Sequence, residues 1–162
     1  MNEGAYGAAW FVDAVVPADT PDAEIALLGS VDLRHQAVVA ASDVPDCHSG
    51  ELGDEESSDQ IILTSYAPNR LVYNYSAAAD RLAVFSEIYY PDGWHATVDG
   101  KPLQLLRADW TLRAALLPAG AHEVEMSFLP DSYRTGATVS RIASIVLYLL
   151  LLLALAAFFR RR

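Results

Sequence analysis

From Ile61 to Phe128 the chain reads as short runs in which apolar and polar positions alternate with a period of two, broken by turn residues. The runs are Ile61 to Tyr66, Leu71 to Tyr75, Leu82 to Tyr89, Trp94 to Val98, Lys101 to Leu105, Trp110 to Leu116 and His122 to Phe128. Between them lie Pro68-Asn69, Asp80, Pro91-Asp92-Gly93, Asp99-Gly100 and Pro118-Ala119-Gly120. Short strands at this spacing predict a mainly β fold, an antiparallel, jelly-roll-like β-sandwich. Asp99-Gly100 is the clearest turn, because both residues of a two-residue type I′ loop need positive φ. That loop sets Val98 against Lys101, Thr97 against Pro102, Ala96 against Leu103 and Trp94 against Leu105. Proline opposite Thr97 cannot donate to a further ladder, so its strand is expected at a sheet edge.

The same alternation places Trp110, Leu112, Ala114 and Leu116 on one face, and Val124, Met126 and Phe128 on another. Arg113, Glu123 and Glu125 fall on the opposite phase and are expected outside, where they can pair across strands. Nearer the N-terminus, residues 8 to 18 read as one strand ending at Pro17, with Trp10 and Val12 on one face. Thr20-Pro21 then gives an N-cap followed by proline at the first helical position, which predicts a short helix to Leu28 closed by Gly29. Ala37 to Ala41 is a brief apolar strand. The stretch 42–60, rich in Ser, Asp, Glu and Gly, reads as a flexible acidic loop; its run Asp54-Glu55-Glu56 lacks the spacing of an EF-hand.

Beyond the sheet the pattern changes altogether. From Ile142 to Phe159 there is no charged residue, a leucine run fills 149–153, and three arginines end the chain. Eighteen helical residues extend roughly 27 Å, enough to cross a bilayer core. The expected organisation is a β domain over 1–136, a transmembrane helix over 137–159 and a basic tail over 160–162.

Charge orients this arrangement. All 21 acidic residues precede the helix, beside seven of the 11 basic ones, so residues 1–136 carry a formal charge of −14. Such a domain repels nucleic acid and anionic headgroups. Three arginines directly after the helix place the C-terminus in the cytoplasm and the β domain outside. The opening MNEGAYGAAW has neither the basic nor the apolar region of a signal peptide. We therefore expect earlier membrane helices of a larger polytopic protein to deliver the domain. The single Cys47 reads as an incidental thiol.

Candidate chemistry is sparse. His35, His48, His95 and His122 stand singly, so no metal is expected, and no phosphate loop, nucleophile elbow or cofactor motif is present. Glu87 interrupts an apolar run and is either a functional acid or the partner of Arg107 or Arg113. Tyr89, Tyr90, Trp94 and Trp110 have the flat faces of a sugar platform, although Trp94 and Trp110 fall on inward phases that favour core packing. Tyr90, Asp92 and His95 are expected to be exposed. Glu87, Tyr90, Asp92 and His95 are thus the candidate contacts for a glycan or partner.

The blocks VFSEIYYPDGW (84–94), VDGKP (98–102), LRA followed by PAG and His122, and the Ser132-Tyr133 pair before the helix resemble the C-terminal region of the YfhO family of bacterial membrane proteins. That family resembles GT-C type glycosyltransferases with lipid-linked sugar donors, some implicated in glycosylating envelope polymers such as lipoteichoic acid. The resemblance implies a non-catalytic extracytoplasmic domain and last helix, with the catalytic acids on an early loop outside this sequence. It also implies a place in the bacterial cytoplasmic membrane, with the bilayer, the N-terminal membrane portion and an envelope glycan as partners. A stand-alone binding or protein-interaction module is the alternative.

Overall fold

The computed structural model describes residues 6–44 and 59–160. Cys47, His48, the acid run 54–56 and the last two arginines of the tail lie outside the described residues. The chain forms two units, 1–128 and 129–162. The first is a sandwich of two sheets with one short helix, and the second contains a long apolar helix.

Eleven strands are described: β1 (Ala9–Phe11), β2 (Ala14–Ala18), β3 (Gln36–Ala40), β4 (Gln60–Ala67), β5 (Arg70–Ala77), β6 (Arg81–Ile88), β7 (Trp94–Val98), β8 (Lys101–Leu103), β9 (Leu106–Ala108), β10 (Leu112–Leu117) and β11 (Gly120–Phe128). One sheet has the order β1-β6-β10-β9-β3-β2 and the other β4-β5-β11-β7-β8. Pairing is antiparallel throughout except between β2 and β3, which run parallel. Helix α1 (Pro21–Leu28) makes the crossover between them, and its first turn is capped by the Thr20 hydroxyl, which accepts from the Ala23 amide at 3.2 Å.

The Asp99-Gly100 hairpin forms as expected. Asp99 and Gly100 have φ of 49° and 78°, and Ala96–Leu103, Thr97–Pro102 and Val98–Lys101 are the paired residues. Strand β8 is an edge, as Pro102 requires. It ends at Leu103, however, so Leu105 does not pair with Trp94. The chain instead crosses to the other sheet, where Leu106 begins β9.

The expected strand over 8–18 divides at Val12-Asp13, and its halves form opposite edges of the six-stranded sheet. Flat, such a sheet would place those edges about 24 Å apart. Three Cα steps from Phe11 to Ala14 reach only about 11 Å. The sheet must therefore curl until its edges meet. Backbone hydrogen bonds at the seam show this: the Val12 amide donates to Leu82 at 3.0 Å, and the Asp13 and Ala14 amides to His35 at 2.7 and 3.1 Å.

Curling gives the sheet two buried faces. Ala83, Phe85, Ala115 and Leu117 pack against Leu71, Tyr73, Val98, Val124 and Met126 of the second sheet. Leu82, Val84, Ala108 and Ala114 pack inside the curl with Val12, Ala37 and Val39. This explains why 82–85 is continuously apolar rather than alternating. It also overturns the outward reading of Arg113, which shares the phase of Ala115 and Leu117 and is only 3% exposed. Trp110 is not in a strand. It follows Asp109 in a tight turn where the two have φ of 70° and 49°.

The second unit contains α2 (Asp131–Arg160), of which Thr135–Arg160 is long and apolar enough to cross a membrane. Its apolar side chains are exposed all round, as a lipid-facing helix requires.

Candidate functional site

The β6–β7 loop organises one end of the sandwich. Pairing of Phe128 with Trp94 and of Leu112 with Ile88, together with the hydrogen bond from the Phe128 amide to Asn69, gathers the turns at 68–69, 89–93 and 109–111 there. Arg113 is its internal anchor. Its guanidinium lies 3.9 Å from the centre of the Trp94 ring, and Nε donates to the Ile88 carbonyl at 2.9 Å. Burial lowers the Arg113 pKa, while the negative charge of Glu87 opposes that loss. Glu87 acts likewise on Tyr73, whose buried hydroxyl is pushed up to about 12, chiefly by desolvation. Glu87 therefore belongs to the internal electrostatics of this end. Arg107, its other expected partner, is held by Glu24 instead.

The remaining candidates separate. His95 is exposed and lines a groove of about 360 Å³ with Tyr89, Trp94, Thr97, Pro102 and Leu105. A larger cavity of about 630 Å³ adjoins it, sharing Tyr89, Pro102, Leu103 and Leu105 and extending to Asp43 and Gln104. Tyr90 and Asp92 are exposed but do not line the groove; the Tyr90 ring tilts against Phe128 at 6.4 Å. The structure thus brings Trp94 and His95 to one concave surface and leaves Tyr90 and Asp92 on the turn beside it.

Two polar clusters were not foreseen, because their members come from distant stretches. Buried Arg81 donates to Asp59 at 2.9 Å and also holds Asp13, whose other oxygen is 2.6 Å from His35 Nδ1. This cluster borders a cavity of about 510 Å³ with Trp10, Arg34 and Gln60. Glu24, buried on α1, accepts from Arg107 at 2.9 Å and from the Trp110 amide at 3.0 Å, tying the helix to the β9–β10 turn. Beside it, Asp109 Oδ1 accepts from the Val38 amide at 2.8 Å, and burial raises its pKa to about 6. An acidic residue inside an otherwise apolar helix turn is the only sequence signal for Glu24. Among the described residues, no three His, Cys, Asp or Glu are grouped to hold a metal ion.

Comparison with known proteins adds the family. Residues 53–140 match the family described as "Bacterial membrane protein YfhO". A curated relative, "Uncharacterized protein YfhO" of Bacillus subtilis (strain 168), is 25% identical over 107 residues. These cover 66% of this chain but 11% of the relative's length. No solved structure matches.

Proposed function

The chain belongs to the YfhO family of bacterial membrane proteins, and from that premise we propose that it serves a polytopic membrane protein of glycosyltransferase type as its non-catalytic extracytoplasmic domain and last membrane helix. The observation that carries this reading is a ligand-sized groove at Trp94 and His95 in a chain that also has a helix long and apolar enough to cross a membrane. Orientation rests on charge: the sandwich is strongly acidic and the arginines follow the helix.

In this reading the groove contacts an envelope glycan. Trp94 and Tyr89 supply flat walls and His95 a hydrogen-bonding group, the usual composition of a small-ligand site. Glu87 acts through Arg113 rather than on the ligand, while Tyr90 and Asp92 border the site. Catalytic groups and the sugar donor site are assigned to other parts of the polytopic assembly.

The test is sugar transfer from a lipid-linked donor into envelope polymer by isolated membranes. Disruption of the gene is expected to abolish that transfer. With the whole protein present, His95→Ala is expected to raise the acceptor KM and leave kcat nearly unchanged. Unchanged transfer after disruption would contradict the glycosyltransferase reading and leave a membrane-anchored interaction module.

A further inference from the structure

We infer that the main chain of Trp94 is the recognition element of the groove, and that it reads two neighbouring hydroxyls of an uncharged sugar. The inference deepens the glycan reading of this groove and rests on it.

The hydrogen-bond ladder fixes where the Trp94 backbone points. In antiparallel pairing, residues alternate between exchanging both bonds and exchanging none, so a central strand turns successive residues to opposite neighbours. The Asp99 amide donates to the Glu123 carbonyl at 3.0 Å, and the alternation then turns Thr97 and His95 toward β11 as well. Phe128, which lies opposite Trp94, donates its amide to Asn69 on the other side. Val98, Ala96 and Trp94 therefore face β8. That strand pairs Lys101 with Val98 and Leu103 with Ala96, and then ends. Where a partner for Trp94 would stand, the chain is already crossing to the other sheet, and Leu106 lies in β9. Among the described residues, no backbone hydrogen bond reaches the Trp94 amide or carbonyl.

This unpaired rung opens into the groove, whose lining includes Trp94, His95, Pro102 and Leu105. It is one residue pair long, because Leu103 closes it at Ala96 and the turn at 91–93 closes it beyond Trp94. A peptide added there could form a single pair of bonds, whereas strand addition draws its affinity from a row of them. A compact ligand with a donor and an acceptor side by side suits one rung. Adjacent sugar hydroxyls are such a group: one accepts from the amide and its neighbour donates to the carbonyl.

A phosphodiester offers acceptors alone and would leave that carbonyl unmet. Charge points the same way. No described lysine or arginine lines the groove or the cavity adjoining it, Asp43 lines that cavity, and the domain as a whole is strongly acidic. Tyr89, the Trp94 ring and Leu105 supply apolar surface for the carbon face of the sugar.

The test uses the full chain in detergent micelles, with ¹³C at the glycine carbonyl and ¹⁵N in tryptophan. Gly93-Trp94 is the only Gly-Trp step in the sequence, so the one backbone amide coupled to both labels is that of Trp94. In the free protein this amide should exchange readily with water. The uncharged polysaccharide fraction of the host envelope should slow that exchange several-fold. The same fraction treated with periodate, which cleaves the bond between carbons bearing adjacent hydroxyls, and then reduced should have no effect, and neither should the phosphate-bearing fraction. An amide protected before any glycan is added would overturn the inference. So would protection that survives periodate, protection by the phosphate-bearing fraction equal to that by the uncharged one, or glycan binding seen by tryptophan fluorescence while the Trp94 amide is unchanged; each of these leaves glycan binding itself standing. Binding of neither fraction would remove the glycan reading of the groove, and the inference with it.

Discussion

The sandwich closes its two ends with opposite chemistry. At the end holding the turns at 78–80, 99–100 and 118–119, aspartates fasten the backbone: Asp59 accepts from Ala78 at 2.9 Å, Asp80 from Ala119 at 2.8 Å and Asp99 from Glu123 at 3.0 Å. At the end holding the turns at 68–69, 89–93 and 109–111, the carboxylates Glu24 and Asp109 are buried, and large apolar side chains stand outside. Both ends consist of tight turns between the same sheets. The difference shows that turn geometry leaves surface chemistry open, so each end carries its own.

The largest expected effects come from the buried ion pairs that brace each end. Arg81→Ala strands Asp59, whose side chain is only 5% exposed, and Glu24→Ala leaves the Trp110 amide without its acceptor and Arg107, still held by the Trp110 carbonyl, without its carboxylate. Breaking a buried pair from one side costs about 3–5 kcal/mol. Thermal unfolding of the full chain in nanodiscs, followed by circular dichroism, should show a large drop in Tm for either variant. Loss at one end only would mean that the two braces are unequal.

Acid separates the ends more finely. Asp109 has a folded pKa raised to about 6, so the native state binds its proton more tightly than the unfolded chain does. Its contribution is most favourable below the ordinary aspartate value of about 4, declines as pH rises to about 6 and is flat above, a change of up to about 3 kcal/mol. Asp109→Asn keeps an acceptor for the Val38 amide and a residue that tolerates positive φ. It should raise Tm at pH 8 and change it little at pH 4; an equal shift at both would remove Asp109 as the titrating group.

The opposite end behaves otherwise. Hydrogen bonding to the Glu123 amide, and then to His122, lowers the Asp99 pKa, and bonding to Asp99 raises that of His122. The aspartate's contribution is present above about pH 4 and lost as pH falls through its lowered folded value, while the histidine's is present below about pH 6.5 and lost as pH rises through its raised one. Protection of the Glu123 amide from hydrogen exchange should therefore hold between those limits and weaken outside them.

Gly120 sharpens the same end. Its φ is +120°, and an added Cβ would lie 2.7 Å from His122 Nε2. Gly120→Ala is expected to cost about 1–3 kcal/mol and to displace the imidazole from Asp99, which a histidine NMR titration would report. The smallest effect belongs to the exposed rim: Ile88→Ser should change stability in detergent by no more than about 0.5 kcal/mol.

What the sequence discloses follows the range of each signal. The β7–β8 hairpin and the Thr20 cap are legible because a few adjacent residues determine them. The curl of the larger sheet is not, since periodicity shows that two phases differ without showing that both are covered. Hence Arg113 reads as a surface residue until the second sheet is placed over it. Of the candidate site, the exposure of Tyr90, Asp92 and His95 is legible from the turn, whereas the groove requires the crossing at Leu103 to Leu106, which no local signal announces. The clusters around Arg81 and Glu24 join residues between 22 and 86 positions apart.

The central proposal is that the sandwich lies outside the cytoplasm. With Cys47→Ser and Lys101→Cys in the protein expressed in its native host, a membrane-impermeant maleimide tests it directly. Labelling in intact cells, with no increase after lysis, is the predicted result; labelling that appears only after lysis would contradict the orientation.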